Sequence, residues 1–157
     1  MNIKFSKPKA VEQKDMIAFS QATGCTLPSD VERFFLELNG SEPEANIFTV
    51  SKDNESGVNE LIPVSKVLDE RKYLDYVGGE VFPIAIAEGG NYVVIDFDKG
   101  QSVWFWDHED PRSMIRLASS IYEFLNGLMP FDPKSVELKD GQVELAWIDP
   151  DFFKSLK

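Results

Sequence analysis

Apolar residues at Val31, Phe34, Phe35 and Leu38 fall at i, i+3, i+4 and i+7, the spacing of a single helix face. Ser29 and Glu32 stand where a capping box would start that helix, and Asn39-Gly40 supplies the residues that end one. A preceding helix is predicted over residues 11–22, with Val11, Ile17 and Phe19 among its apolar positions and Gly24 beyond its end. The pattern then shortens. Residues 46–50 predict a strand, residues 53–57 an exposed polar loop, residues 59–63 a second strand and residues 65–74 a helix before Gly78-Gly79 breaks the chain.

Three strands follow at 82–87, 91–97 and 102–107, joined by Glu88-Gly89-Gly90 and by Asp98-Lys99-Gly100-Gln101, both short enough for hairpins. In Val103-Trp104-Phe105-Trp106 both faces are apolar, which predicts a central strand covered on each side. Residues 114–118 predict one more strand. Ser120 then caps a helix carrying Ile121, Phe124, Leu125 and Leu128, with Glu123 placed for a second capping box. In the tail, residues 136–138 and 143–145 flank a Lys139-Asp140-Gly141-Gln142 turn, and Asp149-Pro150 opens a short helix. Alternation selects Phe82, Ile84, Ile86, Val93, Ile95, Val103 and Phe105 as the sheet's core, packed by the helices of Phe34 and Phe124.

These elements describe one domain over residues 1–157, the length at which a chain buries about 70% of its unfolded surface. With 43% hydrophobic and 27% charged residues the composition is that of a globular protein. The net charge of -11 changes the picture of its partners. Such a chain repels phosphate backbones and anionic bilayers, so neither nucleic acid nor membrane is the expected partner. A basic protein is. Residues 41–110 hold nearly all the excess, with five basic against fifteen acidic side chains. The residues placed in polar loops there, Glu42, Glu44, Asp53, Glu55, Asp107, Glu109 and Asp110, are the candidate partner contacts. The N-terminal stretch has no apolar core of a secretory signal and no apolar run approaches a membrane span, so a cytoplasmic location is expected.

Candidate chemistry is sparse. The single histidine, His108, lies in Asp107-His108-Glu109-Asp110, where consecutive side chains diverge and suit a solvated turn better than one metal ion. The single cysteine, Cys25, allows no intramolecular disulfide, has no helix start to activate it and is expected as a small buried hydrophobe. Asp96 and Asp98 alternate at the mouth of a turn, where aspartate serves local hydrogen bonding. No G-x-S-x-G, C-x-x-C or phosphate-loop spacing is present. No catalytic residue, metal site or cofactor is expected, and the protein is not expected to be an enzyme.

Leu27-Pro28-Ser29-Asp30, Phe34-Phe35 and Leu38-Asn39-Gly40 resemble the opening signature of the SUKH superfamily. The stretch from Phe82-Pro83-Ile84-Ala85-Ile86-Ala87 through Gly89-Gly90-Asn91, Ile95-Asp96 and Gly100 to Trp106 is similar to that family's paired strands. Ser120, Phe124-Leu125 and Leu128 resemble its closing helix. The resemblance covers residues 24–128 and leaves 130–157 as an extension. It implies an α+β fold, a central mostly antiparallel sheet with helices packed around it, and no shared catalytic residues. It also implies an immunity-type protein that binds and neutralises a cognate bacterial toxin, often a nuclease or other enzyme toxin, and the acidic charge makes a basic one the expected partner. The alternative within the family is a regulatory interaction module of the cell-wall-regulator type, with no toxin partner.

Overall fold

Residues 2–135 are described in the computed structural model of the chain. Helix α1 is Gln13–Thr23, and Gly24 ends it in the left-handed conformation. The apolar stripe of Val31, Phe34, Phe35 and Leu38 forms helix α2, Ser29–Leu38, and all four residues are buried. Its start differs from expectation. Pro28 is the N-cap, its carbonyl accepting the Val31 and Glu32 N–H groups at 3.0 Å each, and Ser29 is already helical with no side-chain cap bond. The fixed φ of proline sets the helix start one residue ahead of the predicted capping box.

At the other end of α2, Asn39 is buried and its side chain joins three segments. Its Nδ2 donates to the Lys9 (3.2 Å) and Ala10 (3.1 Å) carbonyls, and its Oδ1 accepts the Val64 N–H at 2.7 Å. Gly40 turns the chain at φ 64°, where a Cβ would lie 2.7 Å from the Lys9 side chain. These contacts bring the N-terminal segment against the start of helix α3, Val64–Glu70.

The sheet is a six-stranded antiparallel meander in sequence order. Its strands are β1 (Ile47–Ser51), β2 (Asn54–Leu61), β3 (Val81–Ala87), β4 (Asn91–Asp96), β5 (Ser102–Trp106) and β6 (Met114–Ala118). Helix α4, Ile121–Asn126, follows β6. All four helices feed one core on one sheet face: Phe19 from α1, the α2 stripe, Val64 and Val67 from α3, and Ile121, Phe124 and Leu125 from α4. Two aromatic groups organise it, Phe19 edge-on to Phe35 and Phe82 at 5.2 Å, and Phe48 against Phe124 at 5.4 Å. The opposite face carries a smaller cluster of Val94 and Trp106 covered by Leu74 and Val77.

The sheet departs from the sequence pattern at two places. The polar stretch 53–57 is not a loop, because β2 begins at Asn54 and pairs Ser56 with Phe48 and Gly57 with Ile47. Its side chains are polar because the hairpin tip faces solvent, but Ser56 and Gly57 are buried. Ile86 is only half-buried, whereas the other six predicted sheet residues are buried. Register shifts between Pro83 and Ala85, so the residues beyond this bulge exchange faces. Ala85 thereby joins the core opposite Val93, and Ile86 moves to the side of Tyr92. The predicted hairpin of 136–145 and the helix after Asp149-Pro150 lie outside the described residues.

Candidate functional site

In an antiparallel meander alternate turns gather at one end of the sheet. The β1–β2 turn at Lys52-Asp53, the β3–β4 turn at Glu88-Gly89-Gly90 and the β5–β6 loop from Asp107 to Ser113 therefore share an end. Contacts along this end confirm the order. A Cβ on Gly57 would lie 2.9 Å from Glu88 Cδ, and Asn91 Oδ1 accepts the His108 N–H at 3.1 Å with His108 Nδ1 at 2.8 Å. At strand spacings near 4.8 Å the row runs for roughly 20 Å.

The end is acidic. Asp53, Glu55, Glu109 and Asp110 are exposed there and Asp107 is half-buried. Glu88, exposed and midway along the row, joins them although the sequence reading passed over it as part of a glycine turn. Antiparallel topology is the signal that could have found it, since it sets the β3–β4 turn between the other two. Glu42 and Glu44 are also exposed but stand before β1, at the opposite end, where Glu44 N–H donates to the Lys4 carbonyl at 2.9 Å. The structure thus brings together five of the seven candidate contacts and separates two.

Pairing distinguishes these carboxylates further. Glu12, Asp30, Glu60, Asp69 and Asp96 each lie within 4.0 Å of a lysine or arginine. Asp53, Glu55, Glu88, Glu109 and Asp110 have no such partner among the described residues. Asp107 Oδ1 accepts the Glu109 N–H at 2.9 Å and lies 3.9 Å from His108 Nδ1. Among the described residues Lys52 and Arg112 are the cations in the turns at this end, against six carboxylates, so the local field is net negative.

The remaining titratable candidates are structural. Asp96 Oδ1 accepts the Asp98 N–H at 3.0 Å, and Asp98 Oδ2 accepts the Glu80 N–H at 3.0 Å, so the pair organises the β4–β5 turn. Cys25 is exposed, contrary to the expectation of burial, because it follows the α1 terminus on the surface with its Sγ 3.5 Å from Thr23 Oγ1. Among the described residues no group of three or more His, Cys, Asp or Glu side chains could hold a metal ion, and no helix is long and apolar enough to cross a membrane.

The model of the SMI1 / KNR4 family (SUKH-1) matches residues 10–127. The chain is also similar to the SPbeta prophage-derived protein YokK of Bacillus subtilis (strain 168), at 29% identity over 100 residues. That alignment takes in 62% of this chain and 50% of YokK, so the chain spans about half the length of this relative.

Proposed function

The chain belongs to the SMI1 / KNR4 family (SUKH-1), and from that premise we propose that it is an immunity-type protein that neutralises a basic toxin by binding it through the acidic end of its sheet. The family includes toxin-immunity proteins. The observation that carries the reading is the row of Asp53, Glu55, Glu88, Glu109 and Asp110, carboxylates with no lysine or arginine partner among the described residues, on neighbouring turns at one end of the sheet. A toxin that acts on nucleic acid needs a basic cleft to hold phosphates. An acidic surface of this length would cover such a cleft and draw it in by long-range attraction. Catalysis has no part in this function: binding alone blocks the toxin, and the protein works where the toxin's target lies, in the cytoplasm.

The test is a toxin-rescue assay against a cognate toxin domain, to be sought first in the reading frames beside this gene. Asp53→Lys with Glu55→Lys, and separately Glu109→Lys with Asp110→Lys, should each lose protection and slow association at low salt. Full protection by both variants, with unchanged association rates, would reject the acidic end as the binding surface.

A further inference from the structure

The face of the sheet away from the helices bears a cleft of about 470 Å³ that neither the core nor the acidic row explains. Its walls are the segment around Tyr76 on one side and Pro111 and Arg112 on the other, with Trp104 and Met114 between them. Tyr76 is 70% exposed and has φ 60°, a conformation that costs a bulky residue energy and suits glycine. A tyrosine kept there buries little to offset the strain. Its ring is instead covered on one side by the Arg112 guanidinium, 4.5 Å from the centroid. Trp104 is held the same way, with Lys99 Nζ 4.5 Å over its ring and its Nε1–H donating to Ser102 Oγ at 2.9 Å.

The charges lining the cleft are balanced. Lys99 lies 3.6 Å from Asp96, Asp98 is hydrogen-bonded to the Glu80 N–H, and Arg112 stacks on Tyr76. The cleft's Tyr, Trp, Met and Arg are residue types enriched at the centres of protein interfaces, and its two carboxylates are offset by Lys99 and Arg112. The cleft meets the acidic end at one corner, the β5–β6 loop, where its lining residues Pro111 and Arg112 directly follow Glu109 and Asp110.

We infer that this cleft is the anchor pocket of the binding surface, and that its occupant is a large apolar side chain flanked by lysine or arginine on the basic partner. The flanking cations would meet Glu109 and Asp110 while the apolar group lies on Tyr76 and Trp104. The inference rests on the acidic end being a binding surface and adds where the partner is gripped.

Two blocked peptides probe it, Gly-Lys-Arg-Phe-Arg-Lys-Gly and its counterpart with serine for phenylalanine, titrated against the full chain and followed by NMR. The phenylalanine peptide should bind roughly tenfold more tightly, the return expected for burying one aromatic side chain, and should shift the Trp104 indole N–H. Tyr76→Gly keeps the φ of 60° without strain while deleting the ring, and should remove that difference but leave the serine peptide's affinity unchanged. Equal affinities of the two peptides, or shifts at Asp53 and Glu109 with none at Trp104, overturn the anchor pocket and leave the acidic surface standing. Absence of salt-dependent binding by either peptide strikes the acidic surface itself and the pocket with it.

Discussion

Phe34 shows how one residue couples the helices to each other. Fully buried, it meets Phe35 edge-on at 4.9 Å inside the core that α2 shares with α4 and the sheet. Phe34→Ala should cost about 3–5 kcal/mol in urea unfolding, by lost transfer energy plus the cavity left behind. A loss below 1 kcal/mol would mean the site collapses around the gap. Asn39 makes the polar counterpart. Asn39→Ala would orphan the Val64 N–H and two carbonyls at once, and should destabilise by about 1–3 kcal/mol in the same measurement. Gly79 is fixed by a neighbour as well as by its φ of 70°, since a Cβ there would come 2.5 Å from Asp98 Oδ2.

At the scale of elements, α4 has the start that the sequence predicts. Ser120 Oγ accepts the Glu123 N–H at 3.1 Å, and Ser120→Ala should cost about 1 kcal/mol. The Glu123 carboxylate goes one residue further back than a capping box requires, accepting from both the hydroxyl and the N–H of Ser119. Those bonds, the hydroxyl's first, hold Glu123 below its ordinary value of 4.5. A carboxyl group depressed on folding stabilises the protein above its unfolded pKa, and the effect is lost as pH falls through the folded one. Glu123→Gln should therefore be less stable than the parent at pH 7, with the gap closing when both are unfolded at about pH 3. A gap that persists at low pH would assign the loss to geometry rather than charge. On the opposite sheet face Tyr92 is likewise perturbed: burial first, and then its 2.6 Å bond to Glu70, push its hydroxyl up.

For the molecule as a whole, a net charge of -11 with the excess gathered at one sheet end makes self-repulsion a standing cost to the folded state. The ion pairs present are mostly exposed and contribute little against it. Raising NaCl from about 10 mM to 0.5 M should therefore raise the urea midpoint by screening, and Glu109→Lys with Asp110→Lys should blunt that rise. A midpoint that falls with salt would show that the surface pairs outweigh the repulsion.

Periodicity alone determined the helices of Phe34 and Phe124, the three hairpin-linked strands and most of the core, because burying an apolar face demands a matching repeat in the sequence. The glycines and the Ser120 cap marked element ends for equally local reasons. Other features were decided only by contacts between distant segments. The bulge at Ile84 exchanged Ala85 for Ile86 through pairing with β4, and polar Asn54 to Gly57 became a strand because β1 supplied its ladder. Of the candidate site, the sequence revealed the acidic excess and most of its members. Meander topology grouped Asp53 and Glu55 with Glu88 and Glu109, and set Glu42 and Glu44 apart. The stacking of Arg112 on Tyr76 was likewise illegible in sequence: the residues lie on separate loops, and only the folded sheet holds those loops close enough for ring and guanidinium to meet.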